Sequence, residues 1–206
     1  MKEQTSIPKH KITRAANLMT SGAKIGASYA KFALRKAITG NEDKSDFHTK
    51  TAKESYKTFS KLKGAPLKLA QMLSMDRNLI PAQYADEFSK AQYQAPPLSY
   101  PLVVKTFQQE MGKGPKDVFD VFSDSAVAGA SIGQVHKARI GDEEYAVKIQ
   151  YPGVAQSLNS DLAIVKPLAM KLFNIDAKGL EPYVQEIKNR LLEETDYIRE
   201  LSLIHI

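Results

Sequence analysis

Ala128-Gly-Ala-Ser-Ile-Gly-Gln-Val-His-Lys-Ala-Arg-Ile-Gly-Asp-Glu-Glu-Tyr-Ala-Val-Lys-Ile-Gln150 is the stretch on which the fold turns. Val135 to Ile140 reads as a strand, Gly141-Asp142 as a turn, and Tyr145 to Ile149 as the next strand. Val118 to Phe122 is strand-like as well, and the small residues from Ala128 onward join it to Val135. On either side of this block the apolar spacing becomes helical. After Pro152-Gly153 the helical period runs through Lys171, and again from Leu180 to about Ile198. Before it, helices are expected over Arg14–Lys36 and Ser45–Lys63, from Pro66, from Pro81 to about Gln92, and from Tyr100 to Gly112. The expectation is an α+β fold: a helical N-terminal half, then strand–loop–strand–strand–helix–helix.

The 206 residues are 43% apolar and 25% charged, enough for a packed core and too few charges for wholesale disorder. No run approaches the roughly 18–20 apolar residues of a membrane span, and a secretory signal is not expected. Without cysteine, disulfides, cysteinyl zinc, iron–sulfur clusters and thiol catalysis are excluded. The net charge of +6 is uneven. Residues 1–40 hold eight Lys/Arg against Glu3 alone, and the remainder is near neutral. Leu18, Ile25, Tyr29 and Phe32 recur at helical steps, with Lys24, Lys31 and Arg35 on another face. That pattern suits a surface helix packed on its own domain or a helix lying on an anionic membrane.

Between the strands, Ala128, Ala130 and Gly133 occupy the glycine positions of a GxGxxGxV spacing, and Val135 the valine position. Small residues let backbone come close to a ligand, and loops of this spacing cover nucleotide phosphates in protein kinases. They also serve simply to make a tight hairpin. Strand alternation sets Ala146, Lys148 and Gln150 on one face and Tyr145, Val147 and Ile149 on the other. A lysine among apolar neighbours is expensive to bury without an anion; on an open face it needs none. Loop, spacing and Lys148 together point to a nucleotide.

The strings Ala-Ser-Ile-Gly-Gln-Val-His (130–136) and Ala-Val-Lys-Ile-Gln-Tyr-Pro-Gly-Val (146–154), followed by Ser160-Asp161-Leu162, resemble the UbiB/ADCK family of atypical kinases, over roughly residues 45–200. The family's lysine motif KxGQ falls on Lys68-Leu69-Ala70-Gln71, with Ala70 in place of glycine, and its ExD motif on Glu194-Thr195-Asp196. Gly129 interrupts the family's alanine-rich loop. The resemblance implies a kinase-like N-lobe, a small antiparallel sheet with helices, behind a helical extension, and no C-lobe. In those terms residues 1–40 form a basic amphipathic arm, 41–115 the extension with the lysine motif, and 116–206 a partial N-lobe.

The resemblance also implies roles. The loop Ala128, Gly129, Ala130, Ser131 and Gly133 would cover a nucleotide, ATP or ADP with Mg²⁺, whose base lies between Val135 and Ala146. Lys148 would hold its α/β-phosphates with Glu200 as ion-pair partner. Lys68 and Gln71 would reach the catalytic site and engage Glu194 and Asp196. On an ideal helix Glu194 and Asp196 point about 200° apart, so one partner can meet both only where the helix is distorted. Phosphoryl transfer also needs a catalytic-loop and a metal-binding Asp, and no H-R-D or D-F-G string occurs. The last six residues, Leu-Ser-Leu-Ile-His-Ile, resemble translated sequencing adapter, so a reading frame cut short is expected.

The function implied is that of an atypical kinase or ATPase supporting ubiquinone or related isoprenoid-quinone biosynthesis. Its expected partners are a nucleotide, a quinone precursor or lipid, quinone-biosynthesis proteins and a membrane surface. The expected location is peripheral, at the cytoplasmic face of a bacterial inner membrane, or in an organelle. Two rivals are a catalytically silent lipid-binding scaffold and a helical nucleic-acid-binding module. Against the second, residues 1–40 interleave few aromatics with their cations, and no nucleic acid partner is expected.

Overall fold

The computed structural model describes residues 3–40, 43–76, 78–92, 96–130 and 132–197. Its helices are α1 (Lys11–Thr39), α2 (Ser45–Leu62), α3 (Gly64–Met75), α4 (Ala82–Ser89), α5 (Tyr100–Met111), α6 (Val154–Phe173) and α7 (Ala177–Thr195). Between α5 and α6 lie the strands β1 (Val121–Phe122), β2 (Ala128–Gly129), β3 (Gly133–Ile140) and β4 (Glu143–Gln150). The α+β reading holds, and most boundaries fall within a few residues of those expected. The strand expected over Val118–Phe122 shrinks to its last two residues. There Pro115–Asp117 forms a 3-10 turn, stabilised by the Asp117 carboxylate accepting the Gly114 N–H at 2.8 Å.

β3 is the axis of the sheet. One edge pairs with β4 along its whole length, from Gly133↔Gln150 to Ile140↔Glu143. The other edge is shared by β1, at Phe122↔Ala138, and β2, at Ala128↔Val135. Directly opposed residues share a face. One face therefore carries Gln134, His136 and Ala138 with Val147 and Ile149, and packs into the core. The other carries Val135 and Lys137 with Ala146 and Lys148, and is more open.

The core face is tied to the helices through a buried polar chain. The His136 Nδ1 faces the Ser123 carbonyl at 2.8 Å, and Nε2 faces the Gln134 amide nitrogen at 2.9 Å. A carbonyl only accepts, so Nδ1 bears the proton and Nε2 accepts from Gln134. Gln134 Oε1 then accepts the Leu98 N–H at 2.7 Å, just before α5. Burial lowers the His136 pKa, in keeping with this neutral tautomer.

The N-terminal helix packs on its own domain. Leu18 and Ile25, expected as its apolar stripe, are buried where α1 crosses α2 and α6. Tyr29 and Phe32 meet Phe47 of α2, with ring centroids 5.8 and 6.0 Å from it. One helical turn before Leu18, fully buried Arg14 grips Asp161 of α6: its Nε lies 3.0 Å from both carboxylate oxygens, and its Nη1 donates to the Leu62 carbonyl at 2.8 Å. Ser157 Oγ donates to Asp161 Oδ2 at 3.0 Å. Upstream, Gln4 bridges Leu98 in parallel, and the Lys9 carbonyl lies 2.9 Å from where a Cβ on Gly153 would stand. Gly153 has φ +79°, which favours glycine independently.

Candidate functional site

The small-residue loop is a hairpin pinned at both ends. Val127 N–H donates to the Val135 carbonyl at 2.8 Å, and Ala130 N–H to the Gly133 carbonyl at 2.8 Å. Ala128 and Gly129 are exposed and Ala130 partly so, while Ile132 is fully buried and anchors the return. Gly133 is there for space: a Cβ would stand 2.6 Å from the Ile149 carbonyl. Ser131, the expected loop hydroxyl, and Glu200, the expected partner of Lys148, lie outside the described residues, as do the last six residues.

Register brings the expected nucleotide residues together. Val135 opposes both Ala128 and Lys148, and Ala146 sits two residues before Lys148 on the same face. The Lys148 ammonium lies 5.1 Å from the centroid of the Tyr197 ring, a cation–π arrangement. The Tyr197 hydroxyl is 3.2 Å from the space beside Gly133. Tyr197 was not among the expected site residues; the only sequence signal for it is its position next to the acidic motif.

The lysine motif meets its acid. Half-buried Lys68 donates to Glu194 Oε1 at 3.1 Å, joining α3 to the end of α7. The 200° separation of an ideal helix does not apply at the motif, because α7 stops at Thr195 and Asp196 leaves the helix with φ −88° and ψ 84°. Residues 194–197 thus connect the helical extension, through Glu194, with the sheet, through Tyr197. Gln71 points elsewhere. Its amide donates to the Ala91 carbonyl at 2.7 Å and secures the 3-10 turn after α4.

On the far side of β4 a cavity of about 810 Å³ opens between α5 and the strand. Phe107, Met111, Phe119, Val147, Lys148 and Tyr197 are among its lining residues, so it adjoins the site at one end. Among the described residues no group of three or more His, Asp or Glu could hold a metal ion.

Residues 90–203 match the family model described as the ABC1 atypical kinase-like domain. The chain is 32% identical to the atypical kinase COQ8B, mitochondrial, of Rattus norvegicus over 207 residues, 97% of this chain and 39% of that protein. It is 33% identical to the ABC1 family protein MCP2 homolog of Schizosaccharomyces pombe, over 85% of this chain and 31% of the relative. The ACTIVITY OF BC1 COMPLEX KINASE 8 protein of Arabidopsis thaliana, chloroplastic, is 30% identical over 66% of the chain and 19% of its own length. The chain spans less than two fifths of each of these curated relatives. A solved complex of Rv3197 with erythromycin from Mycobacterium tuberculosis aligns with 74% of this chain and 40% of its own, at 31% identity and a TM-score of 0.37.

Proposed function

The chain belongs to the ABC1 atypical kinase-like family, and from that membership we propose that it is the nucleotide-holding part of an atypical kinase or ATPase acting in isoprenoid-quinone biosynthesis. The observation that carries the reading is the register that sets Ala128, Val135, Ala146 and Lys148 on one open sheet face beneath a loop of small residues. Those residues fit a nucleotide. Backbone at Ala128 to Ala130 can close on phosphates, Lys148 supplies the cation for them, and Val135 and Ala146 offer small apolar surfaces to a base. A bound nucleotide would supply the phosphoryl group; Lys148 would orient it and offset its charge. The Lys68–Glu194 pair sits where it can govern access from the helical extension. Mg²⁺ finds no cluster of three or more His, Asp or Glu among the described residues.

Quinone precursors are membrane solutes, and the reading includes a peripheral position at a bilayer, in bacteria the cytoplasmic face of the inner membrane. Among the described residues no helix is long and apolar enough to cross one. The cavity beside β4 favours a second reading, a lipid-holding scaffold without catalysis. Thermal unfolding separates the two. Millimolar ATP or ADP with Mg²⁺ should raise the melting temperature of the chain, and Lys148→Ala should weaken nucleotide binding by about 1.5–3 kcal/mol, the worth of a hydrogen bond to a charged group. Unchanged nucleotide affinity in the variant, measured by calorimetry, removes Lys148 from the site. No nucleotide response in the parent chain favours the scaffold.

A further inference from the structure

Helix α1 has a second apolar face. Counted at about 100° per residue, the buried side chains Arg14, Leu18, Ser21 and Ile25 occupy one side of the helix. Ile12, Met19, Ala23, Ala30, Leu34 and Ile38 fall within an arc of about 100° on the opposite side. Ile12, Met19, Leu34 and Ile38 are exposed at 85%, 67%, 63% and 74%. From Ile12 to Ile38 the stripe is about 39 Å long at 1.5 Å per residue. Its large side chains stand in two groups, Ile12 with Met19 and Leu34 with Ile38, joined by the small Ala23 and Ala30; exposed apolar surface rimmed by polar residues marks interaction sites.

Charge selects the occupant. α1 contains no Asp or Glu over its 29 residues. Lys24, Lys31 and Arg35 border the stripe on one side, while Lys11 and Lys36 fall at the angle of Leu18, away from it. Lys24 is held by Glu54 of α2 at 2.7 Å, which keeps the first shoulder in place. Two copies of α1 laid stripe to stripe would bring Lys31 and Arg35 of each against the other, with no acid on α1 to separate them. A nucleic acid backbone would satisfy the cations and leave Leu34 and Ile38 uncovered. An anionic bilayer satisfies both, accepting apolar side chains below its headgroups and cations at their level.

Resting on the membrane half of the reading above, and independent of its nucleotide half, we propose that the Ile12–Ile38 stripe is the surface by which this chain lies on an anionic bilayer. The docking face is thus the reverse of the one formed by Leu18 and Ile25. Since Arg14 and Asp161 join α1 to α6, the bilayer also sets the orientation of the sheet and its open face.

The chain has no tryptophan, so Leu34→Trp is a single reporter. With vesicles of phosphatidylcholine and phosphatidylglycerol its emission should shift to the blue. Co-sedimentation should occur with these vesicles, fall on raising salt, as expected for exposed charges, and be absent with pure phosphatidylcholine. Leu34→Asp with Ile38→Asp should weaken binding at least tenfold while leaving the circular dichroism unchanged. Binding that survives the double variant assigns another face and overturns the proposal, though not the membrane reading. Absence of binding to any vesicle overturns both. A doubled mass in sedimentation without vesicles, abolished by Leu34→Asp, would give the stripe to a second copy instead. Salt-sensitive binding to duplex DNA, with no blue shift of the Leu34→Trp variant on vesicles, would give the helix to nucleic acid.

Discussion

Lys63 is the residue whose placement is hardest to sustain. It is fully buried at the corner between α2 and α3, with φ 60° and ψ −171°, a region visited almost only by glycine. Its ammonium donates to the Pro96 carbonyl at 2.5 Å and sits 5.2 Å from the centre of the Tyr151 ring. Burial pushes its pKa from the ordinary 10.5 down to about 7. The unfolded chain therefore holds a proton there that the folded chain has released between pH 7 and 10.5. Stability from this group rises with pH across that window and is flat below it. Lys63→Met removes the dependence. Between about pH 7 and pH 10 the urea midpoint of the parent chain should move upward relative to that of the variant, and parallel profiles would contradict the assignment.

Among the elements, the join of α1 to α6 depends on one buried ion pair. Removing one partner of such a pair leaves an uncompensated charge, and costs about 3–5 kcal/mol. Asp161→Asn and Arg14→Met should each destabilise by that order in chemical denaturation. The double substitution Arg14→Met with Asp161→Leu should recover much of the loss, because apolar replacements leave neither charge behind. Strictly additive losses in the double variant would mean that the two side chains act separately.

The same pair explains what could be read from the sequence. Lys68 could be assigned an acidic partner because it stands alone on the apolar face of a short helix, and Glu194 meets it. Arg14 lies on the same face as Leu18 by its spacing, and nothing near it in the sequence supplies its partner. Its partner is 147 positions away, a distance that local patterning does not span. The strand register was legible from alternation and the Gly141-Asp142 turn, which brought Val135, Ala146 and Lys148 to one face. Gln71 was not, since its bond to the Ala91 carbonyl depends on where the chain turns after α4.

Across the whole molecule a single buried cluster runs from Ile7 and Leu18 through the extension helices to Ile149 and Leu191. With the arm inside that cluster, the described parts share one core. Unfolding in denaturant should be one transition, coincident by far-ultraviolet dichroism and by tyrosine absorbance. A separate early loss of helix equal in size to α1 would show the arm to be an independent unit. Cutting the chain at residue 40 should do more than shorten it: Asp161 would keep its burial and lose its cation.

The outer edge of β4 pairs with no strand among the described residues, while its inner edge is fully occupied by β3. Every second residue of β4 turns its backbone N–H and C=O outward, away from β3, and an unpaired row of this kind invites a further strand to stack on it. Charged Glu143, Glu144 and Lys148 stand along the strand, the kind of residue that blunts such an edge. In crowded samples this protein is therefore expected to associate first through β4, with its helices intact.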